Sequence, residues 1–156
     1  TGLYNKETTE QLTDELLSED ENKYHAFLIL DVDCFKQIND IYGHAVGDIV
    51  LQKFGKLLKG TFREGDILGR IGGDEFGVIM KNIQTKDIAM KKAEELLAKT
   101  QAYKIDELEG NNISISIGIS TAPQDGDCYM DLYKRADQAL YQAKRSGKAR
   151  VCNYFS

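Results

Sequence analysis

The chain has little of what marks a membrane, secreted or nucleic-acid-binding protein. No apolar run approaches the roughly 20 residues needed to cross a bilayer, and the opening residues carry no signal-peptide pattern. Cysteine is scarce: Cys34, Cys128 and Cys152 are odd in number, widely spaced and form no C-x-x-C pair, the usage of reduced cytosolic thiols. Positive charge is in deficit, with 20 Lys and Arg against 25 Asp and Glu and a net charge of −5, and the pI is near 5.1. A nucleic-acid backbone calls for a basic face, so it is excluded as the main partner; a local basic cluster for a small phosphate ligand is not. The single proline, Pro123, sits in one loop, and there is no internal repeat, linker or low-complexity segment. What remains is ordinary globular material, 42% apolar and 29% charged over 156 residues, enough for one domain with a real core across 1–156. The chain opens at Thr1 without a Met, which reads as a piece of a longer protein with an upstream sensory or regulatory region.

Hydrophobic periodicity divides this domain into alternating elements. Thr8 to Leu17 sets Leu12, Leu16 and Leu17 on one face and predicts an opening helix. Ala26 to Leu30 is a continuous apolar run too short for an independent helix, and predicts a buried central strand. A short helical turn over Phe35–Asp40 stops at Gly43. From His44 to about Phe62 a long helix turns Val46, Val50, Phe54, Leu57 and Leu58 inward. Arg63 to Asp66 links it to two apolar runs, Ile67–Gly69 and Phe76–Met80, with Gly72-Gly73 between them predicting a two-residue hairpin turn at positive φ. Thr85 to about Thr100 predicts a helix with Ala89, Ala93, Leu96 and Leu97 inward, and Lys104–Asn112 a polar loop. Asn112 to Ile119 alternates strictly and predicts a strand covered on one face. After the Pro123–Asp127 loop, Tyr129–Lys144 predicts a last long helix with a stripe of Leu132, Tyr133, Ala136, Leu140 and Ala143, stopped by Gly147 as a left-handed cap. A short strand over Arg150–Asn153 closes the chain. The order β-α-α-β-β-α-β-α-β, with one central hairpin, predicts an α+β, ferredoxin-like fold: a mostly antiparallel sheet covered by helices.

The acids fall at telling places. Strand alternation puts Asp31 and Asp33 on one side at the carboxyl end of the first strand, where sheets of this kind hold ligands. Asp33 also suits the N-cap of the short helix behind it; Asp31, closing a buried strand, has no such use. Asp74 and Glu75 are adjacent at the hairpin tip. A solvated acidic hairpin accounts for them, yet neighbouring carboxylates repel, and a divalent cation removes that repulsion. In the ferredoxin-like layout the strand end and the hairpin tip lie side by side, so Asp31, Asp74 and Glu75 meet in a site suited to one or two Mg²⁺ ions. Lys144, Arg145 and Lys148 gather at the end of the last helix, where they balance its dipole or meet phosphates as point charges. Asp48, in the first turn of the long helix, complements that helix's dipole.

Six ordered segments carry a resemblance that covers essentially the whole chain. Thr1-Gly2-Leu3-Tyr4-Asn5-Lys6 resembles T-G-L-x-N-R, and Asp31-Val32-Asp33-Cys34-Phe35-Lys36-Gln37-Ile38-Asn39-Asp40 resembles D-x-D-x-F-K-x-x-N-D. Tyr42-Gly43-His44-Ala45-Val46-Gly47-Asp48, Gly72-Gly73-Asp74-Glu75-Phe76, Ser116-Ile117-Gly118 and the segment from Ala136 to Lys144 follow in order. Together they resemble the GGDEF-domain diguanylate cyclases, bacterial enzymes that condense two GTP into cyclic di-GMP and release pyrophosphate. The resemblance implies a nucleotidyl-cyclase palm in the cytoplasm, with no membrane contact by this domain. It implies Mg²⁺ or Mn²⁺ held by Asp31, the Val32 carbonyl and Asp74, with Glu75 as a second-metal ligand or base. Lys36, Lys144 and Lys148 would hold phosphates, and Arg70 would neutralise developing charge. Asn39 and Asp48 would read guanine, with Phe35 and His44 in the same pocket. The active form would be a homodimer.

Arg63-Glu64-Gly65-Asp66 fits R-x-x-D, with its Asp five residues ahead of the glycine pair, and resembles the family's inhibitory site for product cyclic di-GMP. A surface ion pair in a helix-to-strand turn explains the same four residues. Two positions depart from the family pattern. Lys148 stands where many members have Arg, keeping the charge and losing the bidentate fork, and Ala149 replaces a frequent Asn. Two other functions suit the same chain: a domain that senses GTP or cyclic di-GMP without turnover, and a structural dimerisation module. The intact set of Asp31, Asp74, Glu75, Lys36, Asn39 and Asp48 argues against the first, and the clustered carboxylates against the second.

Overall fold

A computed structural model describes residues 3–19 and 23–155. Its axis is β1 (His25–Val32), every residue of which is buried. The run carries no charge before Asp31, so both of its faces can be covered. β1 lies between β3 (Glu75–Met80) and β4 (Ile115–Ala122) and is antiparallel to each. β2 (Ile67–Arg70) continues the sheet beyond β3, antiparallel, and β5 (Val151–Asn153) runs parallel to β4. The order β2-β3-β1-β4-β5 is the mostly antiparallel sheet that the sequence predicts.

Five helices cover it: α1 (Lys6–Glu19), α2 (Phe35–Tyr42), α3 (His44–Thr61), α4 (Lys86–Ala102) and α5 (Tyr129–Arg145). The period of two along β1 sorts its side chains into two cores. Leu28 and Leu30 join Phe54, Leu58, Phe76, Val78 and Leu96 under α3 and α4. Phe27 and Ile29 join Ile79, Leu132, Ala136 and Leu140 under α1 and α5. Edge-to-face ring pairs mark both, Phe54 with Phe76 at 5.0 Å and Phe27 with Tyr129 at 5.5 Å between centroids. α5 ends as expected, with Gly147 at φ +119 just beyond it. No helix among the described residues is long and apolar enough to cross a membrane.

Several local expectations need correction. β4 begins at Ile115 rather than Asn112 and is buried on both faces, not one. Its small polar residues face α5 or the neighbouring strand end instead of water: the Ser116 hydroxyl donates to Asp33 and the Ser120 hydroxyl to the Leu132 carbonyl. Gly118 lets α5 come close, since a Cβ there would lie 2.2 Å from the Ala136 carbonyl oxygen. The hairpin turn has four residues between its strands, and neither Gly72 nor Gly73 is left-handed. Ile71 is buried and packs over Gly77, so the loop closes wide, with the Ile71 and Gly72 N–H groups both donating to the Glu75 carbonyl at 2.9 and 3.1 Å. The polar 104–112 loop contains a 3₁₀ turn, Asp106–Leu108, and buries Ile105 and Leu108. Asp48 is the fifth residue of α3, past its first turn. Thr1 and Gly2 of the opening motif lie outside the described residues.

Candidate active site

The sheet register sets Asp31 directly across from Glu75, and the Val32 N–H donates to the Asp74 carbonyl at 3.4 Å. The end of β1 and the hairpin tip are therefore neighbours, with Asp31 beside Asp74 and across from Glu75, although the ligand oxygens of all three do not lie within 4.8 Å of one another. Burial pushes the Asp31 carboxyl up to about 7, the Asp74 carboxyl beside it adds to the rise, and the Lys144 ammonium opposes it. Lys144 Nζ donates to Asp31 Oδ2. The other oxygen, Oδ1, is buried with no hydrogen-bond partner. A buried carboxylate oxygen left unpaired costs about 1–3 kcal/mol or more. Burial also raises Glu75, while the Tyr133 hydroxyl, donating to Oε1 at 2.8 Å, lowers it. Three carboxylates, one with an orphaned oxygen, beside the Val32 carbonyl make a hard oxygen donor set. It fits Mg²⁺ or Mn²⁺. Asp31, Glu75, Asp137, Tyr141 and Lys144 line a cleft of about 400 Å³.

The other expected residues lie along α2 and at the start of α3. Lys36 is exposed in the first turn of α2, and Lys148 reaches the same end, its Nζ 3.2 Å from Cys34 Sγ. Gly43 turns the chain into α3 so that the start of α3 packs against α2. There Asn39 and Phe35 lie against Gly47: a Cβ on residue 47 would stand 1.9 Å from Asn39 Oδ1 and 3.2 Å from the Phe35 ring. His44 and Asp48 are exposed on the first turns of α3 beside them. Arg70 braces the hairpin, its Nη2 and Nε donating to the Gly73 carbonyl at 2.6 and 3.1 Å.

Arg63 and Asp66 stand apart from the carboxylates, at the start of β2. Asp66 is turned inward, its side chain 1% exposed. Its Oδ1 accepts from Arg63 Nη2 and the Lys81 N–H, and its Oδ2 from the Arg63 N–H and Nε. Arg63 is 57% exposed and edges a cleft of about 590 Å³ with Tyr4, Lys59, Phe62 and Glu64.

Two features escaped the sequence reading. Asp33 does not cap α2; Cys34 holds the cap position at φ 55 with no side-chain cap bond. The Asp33 carboxylate turns into the sheet and accepts from Ser114 Oγ at 2.6 Å, Ser116 Oγ at 2.7 Å and the Ala149 N–H at 3.1 Å. The signal was a Ser-x-Ser on one strand answering an Asp-x-Asp on the next. Tyr133, read only as part of the α5 stripe, is the member of that stripe with a hydroxyl, and that hydroxyl is what reaches Glu75.

The sequence matches the family described as diguanylate cyclase, GGDEF domain, over residues 1–150. It is 40% identical over 128 residues to Diguanylate cyclase A of Treponema denticola, covering 81% of this chain and 34% of that protein. It is 40% identical over 127 residues to the response regulator PleD of Caulobacter vibrioides, covering 80% of this chain and 28% of that protein. The chain thus spans well under half the length of these relatives. The crystal structure of the GGDEF domain of TpbB, also called YfiN, from Pseudomonas aeruginosa superposes with a TM-score of 0.93 at 32% identity, covering 99% of this chain and 98% of that one. The active GGEEF domain of a diguanylate cyclase from Vibrio cholerae does so at 0.91 and 29% identity, covering 99% of both. The palm-like sheet, the carboxylates at its strand ends and the sequence match agree: the chain belongs to the diguanylate cyclase GGDEF-domain family.

Proposed function

We propose that this domain condenses two GTP molecules into cyclic di-GMP with release of pyrophosphate. The observation that carries the reading is the buried, unpartnered Oδ1 of Asp31 beside Asp74 and Glu75. Asp31, Asp74, Glu75 and the Val32 carbonyl would hold Mg²⁺ or Mn²⁺. Such an ion, when bound, makes a hydroxyl more acidic and offsets triphosphate charge. Lys36, Lys144 and Lys148 gather the phosphates of GTP, and Arg70, at the hairpin, faces the charge that builds on the leaving group. Asn39 and Asp48 take the guanine edge, where a carboxylate accepts from both N1–H and the 2-amino group, a donor pair adenine lacks. Phe35 and His44 wall that pocket. One domain carries one nucleotide site while the product has two linkages, so the active form is a two-fold pair, each half presenting its hydroxyl to the other's α-phosphate.

Incubation with GTP and Mg²⁺, followed by chromatographic detection of cyclic di-GMP, tests this directly. GTP binding without product would make the domain a sensor, and neither binding nor product would leave a dimerisation module. Product inhibition is assigned to Arg63, whose exposed guanidinium offers a fork to a phosphate or guanine edge. Asp66 serves there by fixing the turn that carries Arg63. Arg63→Ala should keep turnover and lose sensitivity to added cyclic di-GMP; a variant as product-sensitive as the parent would remove the site from this turn.

A further inference from the structure

Asp33 is a buried carboxylate that the proposed chemistry leaves without work. It is 7% exposed. Two of its three donors, Ser114 and Ser116, belong to the adjacent strand β4 and the residues leading into it. The third, the Ala149 N–H, comes from 116 residues further along the chain, in the turn between α5 and β5. That turn is left-handed at three successive residues: Gly147, Lys148 and Ala149 have φ of +119, +63 and +51. Two of them carry side chains, and such residues persist in that region only where their surroundings over-determine them. The Lys148 N–H donates to the Ala143 carbonyl at 3.0 Å, and the Lys148 carbonyl accepts from Arg150 Nε at 3.0 Å. The Asp33 bond to Ala149 N–H is the tie from this turn to the strand end that carries Asp31. Within the same turn, the Lys148 ammonium lies on Cys34, the residue after Asp33.

We infer that Asp33 is a positioning residue, which holds the left-handed 147–149 turn through the Ala149 N–H and so presents Lys148 to the triphosphate. The inference rests on the function proposed above, in which Lys148 meets phosphate. It also accommodates the departure at position 149, because the donor is main chain and any residue but proline supplies it. A carboxylate suits the role, since it accepts all three donors at charge-assisted strength; a carboxamide can keep its oxygen toward Ser114 and Ala149 only by turning its N–H₂ to Ser116 Oγ, and it loses the charge that strengthens the bond to Ala149.

Asp33→Asn keeps the shape and removes the charge from these bonds, weakening the one to Ala149. In amide hydrogen exchange, the segment containing Ala149 should exchange about tenfold faster in the variant, while β1 and β4 keep their protection; unchanged exchange at Ala149 overturns the inference. In turnover, KM for GTP should rise roughly tenfold, the equivalent of about 1.4 kcal/mol, with kcat within about twofold. Added to Lys148→Ala, the same substitution should change KM less than about twofold, because its route of action is already gone. Full multiplication of the two effects overturns the inference. Should Asp33→Asn fail to fold, Asp33→Ser, whose shorter side chain cannot reach Ala149, takes its place in both measurements. A parent protein that makes no cyclic di-GMP would overturn the proposed reaction alone. The affinity of a GTP analogue with a methylene between its α and β phosphates then replaces KM, with the same pattern required.

Discussion

Asp74→Ala and Glu75→Ala should each abolish cyclic di-GMP formation while leaving the fold standing. Both carboxylates lie at the hairpin tip, and the core beneath them is built by Phe76, Val78 and their partners. A thermal melt within a few degrees of the parent, together with loss of product by more than about a hundredfold, is the expected pair of results. Retained turnover in either variant, or in the parent with EDTA, would count against a metal at this site. Ala149 offers a test of the opposite sign. Held at φ +51, it pays for a conformation that Asn tolerates better, so Ala149→Asn should stabilise the domain by about 0.5–1 kcal/mol in urea denaturation. An unchanged midpoint would mean that Ala149 is under no strain.

At the scale of elements, the most exacting contact is between β4 and α5. At Gly118 a Cβ would stand 2.2 Å from the Ala136 carbonyl oxygen and 2.4 Å from the Leu140 N, both main-chain atoms that cannot step aside. Gly118→Ala should therefore cost about 3 kcal/mol in stability and lower activity with it, since α5 carries Lys144 and Tyr133; a melt like the parent's would show that the helix can shift outward. The same interface explains which elements could be read from sequence. β1 declared itself through five consecutive apolar residues, Ala26–Leu30, because a strand covered on both faces needs no alternation. β4 is covered on both faces too, yet alternates, because its serines satisfy buried acceptors and its glycine admits a helix. Polarity along a strand reports the chemistry of the neighbour, which only the assembled sheet supplies. Asp31, Asp74 and Glu75 were legible as a cluster because strand order alone brings them together. Of the partners of Asp33, the two serines left a signal in the sequence, but the Ala149 main-chain N–H has no side-chain signature.

For the molecule as a whole, the expected active species is a pair, so specific activity should climb with enzyme concentration through the range in which sedimentation detects dimers. A rate strictly proportional to concentration from a proven monomer would contradict it. A last feature spans nearly the full chain. Asp31 and Lys144 are 113 residues apart in sequence and paired in space, so the domain carries its own monovalent counter-ion where a divalent one would sit. A divalent cation taken up at the unpartnered Oδ1 would repel the Lys144 ammonium held on Oδ2, and Lys144, once displaced, is free for a phosphate. Conversely, a triphosphate that draws Lys144 away bares Asp31. Each ligand thus clears the place of the other, and thermodynamic linkage makes the two effects equal in size. Cation and nucleotide should bind with positive cooperativity, each tightening the other by the same factor.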